Sequence, residues 1–133
     1  MKITKLSIII PVYNERKTLF KVLKSLKSVR FEIKCEFIVV DDGSTDGTQI
    51  YLKKNFSKNN IFKVFYHKKN FGKGAAIKTG LSKATGDYVI VQDADLEYDA
   101  TDILNLIKNA QQNDALVVYG SRNKDIVNKY IYP

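Results

Sequence analysis

The fold is decided by the stretch Leu6-Ser7-Ile8-Ile9-Ile10-Pro11 and by a second run, Glu36-Phe37-Ile38-Val39-Val40. Both runs are short, rich in β-branched residues and almost entirely apolar, which is typical of strands buried on both faces of a parallel sheet. Between them, Thr18–Val29 carries leucines and valines at helical spacing with lysines on the opposite side. The sequence therefore begins with a predicted β-α-β unit.

The same alternation continues along the chain. Further strands are predicted at Ile61–Tyr66, Asp87–Val91 and Ala115–Tyr119, and further helices at Asp46–Asn55, Lys73–Ala84 and Thr101–Gln111. Strict alternation of this kind predicts an α/β fold with a Rossmann-like, doubly wound, mostly parallel sheet. We assign residues 1–122 to one domain and leave the polar tail, residues 123–133, without an element.

Composition limits the classes of protein that this chain can represent. With 133 residues, 44% hydrophobic and 27% charged, it has the size and balance of one globular domain. Its longest apolar stretch falls well short of the about 18 residues that a membrane-spanning helix needs, so we expect a cytoplasmic protein. The single cysteine, Cys35, excludes an intramolecular disulfide. A net charge of +8 favours anionic partners, including phosphate compounds and membrane surfaces.

The unusual segments all lie where a predicted strand passes into the next helix. They are residues 11–15, 41–47, 67–74, 93–97 and 120–122, and they hold most of the glycines and clustered acidic residues. In a doubly wound sheet these connections share one edge, where ligands bind. We therefore expect the functional site at that edge.

One candidate site is the carboxylate pair Asp93-Ala94-Asp95. Residues two apart in an extended chain point to the same side, so both carboxylates can bind one hard divalent cation, Mg²⁺ or Mn²⁺. Glu97 continues the spacing and is a candidate third ligand. The alternative is that these acids cap a helix or are solvated.

A second candidate is the segment from Asp41 to Thr48. It is not a calcium loop, because a loop starting at Asp42 would place Lys53 where the bidentate Glu is required. A plain strand-to-helix turn would use Asp46 or Ser44 as a helix cap. That interpretation leaves Asp42 unexplained, and a carboxylate just past a strand end is well placed to bind a nucleoside.

The third candidate, Gly72-Lys73-Gly74-Ala75-Ala76-Ile77, begins like a dinucleotide-binding fingerprint but has Ile77 at the third glycine position. Lys73 at a helix start suits a phosphate. Alternatively, the small residues serve close packing of the helix on the sheet. The nearby His67 has no partner in the sequence, and we expect it to be a solvated loop residue.

Together these segments resemble the family-two glycosyltransferases, which have the glycosyltransferase-A fold. The matching segments are Ile8–Glu15, Val39–Thr48, Asn70–Ala76, Gly86–Tyr88 and Gln92–Leu96. Asp-Ala-Asp-Leu and the later Gly120-Ser121-Arg122 are most similar to the branch that makes polyprenyl- or dolichyl-phosphate sugars. The resemblance implies a metal-dependent, inverting transfer of a sugar from a nucleotide-diphosphate donor to a glycan or a polyprenyl phosphate, in the biosynthesis of cell-envelope glycans.

The resemblance also implies roles for individual residues. Those expected to bind the nucleotide sugar are Pro11, Tyr13, Glu15, Val40, Asp42, Ala94, Asp95 and Arg122, to which Lys73 is added for its position at a helix start. Asp93, Asp95 and Glu97 are expected to bind the metal, with Asp95 the one catalytic residue. Glu97 stands where the polyprenyl branch usually has Gln.

Relative to that family the chain is short, and neither an acceptor region nor the downstream general base is recognised in it. We expect a truncated, donor-binding portion without efficient transfer, in peripheral contact with the cytoplasmic face of a membrane. Two other functions are alternatives. One is a non-catalytic nucleotide-binding module of the same fold. The other, a basic nucleic-acid-binding domain, is disfavoured because acidic residues at the binding edge would repel phosphates.

Overall fold

A computed structural model describes residues 5–57, 61–94, 104–105, 107–108 and 131–132. The strands are β1 (Lys5–Val12), β2 (Lys34–Asp41), β3 (Phe62–Tyr66), β4 (Tyr88–Val91) and β5 (Ile131–Tyr132), and the helices are α1 (Leu19–Ser28), α2 (Thr48–Phe56) and α3 (Lys73–Lys83). The sheet order is β3-β2-β1-β4-β5, with the first four strands parallel and β5 antiparallel to β4. The predicted α/β fold with a mostly parallel sheet is confirmed.

The later part of the chain departs from the prediction in one respect. Ile131–Tyr132 pairs with β4, although the sequence assigned no element to this tail. A short antiparallel edge strand needs main-chain hydrogen bonds rather than an apolar pattern, so its sequence carries little signal. The predicted strand Ala115–Tyr119 lies outside the described residues. Of the predicted helix Thr101–Gln111, residues 104–105 and 107–108 are described and helical.

The sheet is buried on both faces, as the apolar strands predicted. On β1, Leu6, Ile8 and Ile10 belong to the larger core cluster, which α1 and α2 complete, whereas Ile9 belongs to the cluster on the α3 side. This division follows from the alternation of side chains along a strand. None of the helices in the described part of the chain is long and apolar enough to cross a membrane.

At the amino-terminal edge of the sheet, a buried carboxylate joins the strands. Glu36 on β2 accepts hydrogen bonds from the Ser7 hydroxyl, from the Thr85 amide and hydroxyl, and from the Lys63 ammonium. Burial raises the pKa of Glu36, but these hydrogen bonds outweigh burial and lower it to about 2. The edge opposite the expected site is therefore held by an ionised, fully partnered side chain.

The strand order also places the site. The chain runs from β1 through β2 to β3 on one side of β1, and then α3 carries it back to β4 on the other side. The crossovers that follow β1 and β2 therefore run to one side of β1, and the crossover that follows β3 returns past it to the other side. Such a switch point opens a crevice at the carboxyl ends of the strands.

Candidate active site

A cavity of about 490 Å³ lies at the switch point. It is lined by the connections that follow β1, β2, β3 and β4, together with the end of β1 and the start of α3. The lining residues are Pro11, Val12, Tyr13, Glu15, Asp42, Asn70, Gly72, Lys73, Ala76, Asp93 and Ala94. Its volume is within the range of small-molecule sites. Seven of the residues proposed from the sequence for donor or metal binding therefore lie around one cavity.

The connection after β1 forms the first wall and is braced by the connection after β2. Asn14 has a φ of +52°, a left-handed conformation that Asn tolerates better than most residues. The Asn14 backbone amide donates to the Ser44 hydroxyl at 2.9 Å, and the Asn14 side-chain oxygen accepts from the Thr45 backbone amide at 2.8 Å. Tyr13, next to this brace, is 46% exposed. The aromatic ring is thus presented at the cavity by a backbone that is held in place.

Glu15 closes this wall where α1 begins. Its carboxylate accepts a hydrogen bond from the Thr18 hydroxyl at 3.0 Å, and its carbonyl accepts from the Leu19 amide at 2.8 Å. The same Thr18 hydroxyl lies 3.1 Å from the Ala94 carbonyl, so its single proton is shared between these two acceptors. The start of α1 is thereby tied to the connection after β4 on the other side of the cavity.

Asp42 organises the second wall. Its carboxylate is almost fully buried and accepts hydrogen bonds from the amides of Phe71 at 2.9 Å and Gly72 at 2.8 Å, and from His67 Nδ1 at 2.8 Å. Burial raises the pKa of Asp42, but these hydrogen bonds, with the charge of His67, lower it overall below its usual value. An ionised carboxylate thus shapes the loop from residue 67 to residue 72.

The expectation that His67 is a solvated loop residue was wrong. Its side chain is only 13% exposed, and its two ring nitrogens lie 2.8 Å from Asp42 Oδ1 and 2.8 Å from the Thr79 hydroxyl. Asp41 and Tyr66 are register partners on β2 and β3, so Asp42 and His67 follow neighbouring strand ends. Asp42 is 25 residues from His67 in sequence and is brought to it by the strand pairing, whereas Thr79 is 12 residues away and is brought to it by the position of α3.

The remaining residues of the Asp41–Thr48 segment hold the turn. Asp46 accepts from the Thr48 amide at 3.0 Å just before α2, but the N-cap of α2 is Gly47, with no side-chain cap hydrogen bond, so the prediction that Asp46 or Ser44 caps the helix was wrong. Asp41 is fully buried and accepts from the Ser44 amide and from Gln49 Nε2. At Gly43, with a φ of +72°, a Cβ would lie 2.3 Å from the Lys69 carbonyl carbon. Gly43 therefore allows the connections after β2 and β3 to touch.

The start of α3 borders the cavity with small residues. A Cβ at Gly74 would meet nothing within 4 Å, whereas one at Gly80 would lie 2.5 Å from Ile9 Cγ2. Close packing on the sheet therefore belongs to Gly80 and to the buried Ala76. Gly74 is exposed and faces open space next in sequence to Lys73, which lines the cavity.

Val40 differs from the other described nucleotide-binding candidates. It is fully buried in the core cluster that contains Ile9, Ile38 and Ala76, and it is not among the residues that line the cavity. Asp95, Glu97 and Arg122 lie outside the described residues.

Asp93 is the one predicted metal ligand that the structure describes. It lies at the cavity with a side chain 24% exposed, and its Oδ1 contacts the Lys73 ammonium. Among the described residues, no group of three or more potential metal ligands is gathered in one place. Asp93 by itself fits Mg²⁺ or Mn²⁺, because its carboxylate is a hard oxygen ligand and already accommodates a positive charge.

Comparison with known proteins agrees with this geometry. Residues 7–133 match the protein family described as Glycosyl transferase family 2. An undecaprenyl-phosphate 4-deoxy-4-formamido-L-arabinose transferase of Proteus mirabilis is 36% identical over 127 residues, which are 92% of this chain and 39% of that protein. The chain thus spans about two-fifths of the length of this curated relative.

Solved structures give the same result. The structure of S. aureus TarS 1-349 in complex with UDP-GlcNAc has a TM-score of 0.71 and 27% identity, covering 86% of this chain and 33% of that one. The mannosyltransferase PcManGT of Pyrobaculum calidifontis, in complex with GDP-Man and Mn²⁺, has a TM-score of 0.70 and 28% identity, covering 79% of this chain and 32% of that one.

The fold and the cavity together define a domain of the glycosyltransferase-A type. The family match extends over nearly the whole chain. This chain belongs to glycosyl transferase family 2.

Proposed function

We propose that this domain binds a nucleoside-diphosphate sugar together with Mg²⁺ or Mn²⁺ and takes part in an inverting transfer of the sugar. The observation that carries the proposal is the single cavity shared by Tyr13, Asp42, Lys73 and Asp93. The complexes of similar proteins with UDP-GlcNAc, and with GDP-Man and Mn²⁺, support it.

The nucleoside would occupy the side of the cavity next to β1 and β2. The exposed ring of Tyr13 offers an aromatic face for stacking, and the nearby Glu15 carboxylate can accept hydrogen bonds from ribose hydroxyls. The Asp42 carboxylate already accepts hydrogen bonds from the loop amides and from His67. Its main contribution is therefore the shape of the cavity wall. Pro11 completes this side of the pocket.

The diphosphate would lie toward the start of α3. The open space at Gly74 permits close approach of a ligand to the backbone, and the amino-terminal end of a helix favours negative charge. Lys73, the first residue of α3, supplies a positive charge at the same place. In this assignment the small residues at the start of α3 make room for the diphosphate.

The carboxylates after β4 would hold the cation. Asp93 is at the cavity, and Asp95 and Glu97 are the further ligands proposed from the sequence, with Arg122 near the phosphates or the sugar. When bound there, a divalent cation would neutralise the negative charge that develops on the departing diphosphate. Ala94, which is buried and lines the cavity, would contact the nucleotide.

The acceptor we propose is a polyprenyl phosphate at the cytoplasmic face of a membrane. The proposal is supported by relatives named for transfer to undecaprenyl phosphate and for dodecaprenyl-phosphate galacturonate synthesis. The oxygen of such a phosphate is already anionic, so its attack needs no strong general base.

The test is binding of UDP and GDP, by calorimetry, with Mn²⁺ and with chelator, to the wild type and to Asp93→Asn. We expect Mn²⁺ to strengthen nucleotide binding at least about tenfold in the wild type, because two or more phosphate charges otherwise face the Asp93 carboxylate. Asp93→Asn keeps the side-chain shape and should lose most of that gain.

The matched control is Glu32→Gln, an exposed carboxylate outside the cavity, which should behave as the wild type. Nucleotide affinity that is equal in all conditions and all variants would contradict the metal-bridged donor site.

A further inference from the structure

The cavity is crossed by an ion pair between its two sides. Lys73 is the first residue of α3, and Asp93 follows β4. The Lys73 ammonium contacts Asp93 Oδ1, with side chains 58% and 24% exposed respectively. Within the described part of the chain, Lys73 is the partner of that carboxylate.

The position of this lysine is unfavourable for the helix itself. The amino-terminal end of a helix carries a partial positive charge, so a cation there costs a few tenths of a kcal/mol. Holding a long lysine side chain in one geometry also costs conformational entropy. Neither cost is offset by packing, because the side chain is mostly exposed. The ion pair with Asp93 is the favourable interaction that the lysine side chain makes in this structure.

We propose that Lys73 is a built-in counter-ion of the donor site, which occupies the metal-binding carboxylate until a donor arrives. Without a donor, the ammonium and a divalent cation compete for Asp93, because both are positive and would lie at the same carboxylate. With a donor, the diphosphate brings two or more negative charges, and the ammonium moves from Asp93 to a phosphate oxygen. The inference rests on the proposed function of the cavity.

This arrangement makes metal and donor binding cooperative. The metal binds weakly to the free protein because it must displace Lys73, and it binds well once the diphosphate has drawn Lys73 away. By linkage, the metal raises nucleotide affinity by the same factor. Because the pair is partly exposed, we expect the contribution of Lys73 to Mn²⁺ affinity to be about two- to fivefold.

The experiment measures Mn²⁺ binding to the 133-residue chain by calorimetry and by the electron paramagnetic resonance signal of free Mn²⁺, without nucleotide and with saturating UDP or GDP. Lys73→Met should bind Mn²⁺ about two- to fivefold more tightly than the wild type when nucleotide is absent. The same variant should bind the nucleotide more weakly when Mn²⁺ is present. The cooperativity factor should therefore decrease.

Two further variants serve as controls. Lys78→Met removes the same charge from an exposed position on α3 outside the cavity, and should leave both affinities unchanged. Lys73→Arg keeps the charge and should keep the weak binding of Mn²⁺ to the free protein. Thermal unfolding of each variant establishes that the fold is intact.

The outcomes separate the two proposals. If Lys73→Met and Lys78→Met have the same Mn²⁺ affinity without nucleotide, while the wild type still binds nucleotide in a Mn²⁺-dependent manner, the counter-ion role is overturned and the donor site stands. If the wild type shows no Mn²⁺-dependent nucleotide binding, the donor site is overturned, and the counter-ion role with it.

Discussion

At the scale of single residues, one buried carboxylate shapes the cavity wall. Asp42 lies just past β2, and its two oxygens accept from two loop amides and from His67. His67 is itself close to Thr79 on α3, so the contacts extend from the end of β2 into that helix. The loop that carries Gly72 and leads into Lys73 is therefore held at several points by side chains that are distant in sequence.

We expect Asp42→Ala to weaken nucleoside diphosphate binding by about 1–3 kcal/mol, because the loop amides and the imidazole lose their shared acceptor. The same change should lower the free energy of unfolding by about 2 kcal/mol or more, since hydrogen bonds to a charged group are lost from a buried site. Calorimetry measures the first effect and denaturant unfolding the second. If the Asp42→Ala protein is folded and its nucleotide affinity is unchanged, Asp42 does not contribute to the donor site.

At the scale of elements, α3 combines two uses of small residues. Gly80 and Ala76 allow the helix to lie close to the sheet, whereas Gly74 in the first turn is exposed and has no packing neighbour at its Cβ position. The sequence offered packing and ligand approach as alternatives for this segment. The structure assigns packing to the later positions and leaves Gly74 free of packing contacts.

The matched pair Gly80→Ala and Gly74→Ala separates these uses. Alanine favours a helix over glycine by about 1 kcal/mol, but at Gly80 the new methyl group would meet the buried Ile9, and overpacking costs about 1–3 kcal/mol. We expect Gly80→Ala to be destabilised and Gly74→Ala to unfold at the wild-type denaturant concentration or above.

If a diphosphate approaches the backbone at Gly74, nucleotide binding should weaken in Gly74→Ala although its stability is kept. A Gly74→Ala variant that binds UDP and GDP like the wild type would contradict the placement of the diphosphate beside this residue.

At the scale of the whole molecule, the two edges of the sheet differ in what their buried carboxylates do. At the carboxyl edge, Asp42 borders an open cavity. At the amino edge, Glu36 joins β1, β2, β3 and the residues before β4, and it is not among the residues that line this cavity. Changes at the amino edge should therefore alter stability with little effect on ligand binding.

The Glu36 network predicts acid sensitivity. The pKa of Glu36 is about 2 in the folded protein and 4.5 ordinarily, so its contribution to stability is complete above about pH 4.5 and is lost as the pH falls toward 2. The difference corresponds to about 3 kcal/mol of stability. Glu36→Gln should lower the free energy of unfolding at pH 7 and flatten its decline between pH 4.5 and pH 2.5.

Denaturant unfolding at a series of pH values measures this effect. Glu32→Gln, which alters an exposed carboxylate, should follow the wild-type curve. Parallel curves for the wild type and Glu36→Gln across the acid range would show that Glu36 does not carry the acid sensitivity.

Sequence alone determined the order of strands and helices and the edge at which the unusual residues gather. Strands β1 to β4 and helices α1 to α3 begin and end within a few residues of the predicted positions. These features follow from patterns that repeat every two or every 3.6 residues, and such patterns are local. The turn that Asp46 makes before α2 is also local, since its partner, the Thr48 amide, is two residues away.

Only the tertiary structure decided which distant residues meet. It placed β1 between β2 and β4, and so opened the crevice between the connections after β1 and β4. It paired His67 with Asp42 and Lys73 with Asp93, and it added the tail strand to β4. The physical reason is that these contacts depend on the lateral order of the strands and on the path of α3 across the sheet. Neither the strand order nor the path of α3 produces a periodic pattern in the sequence.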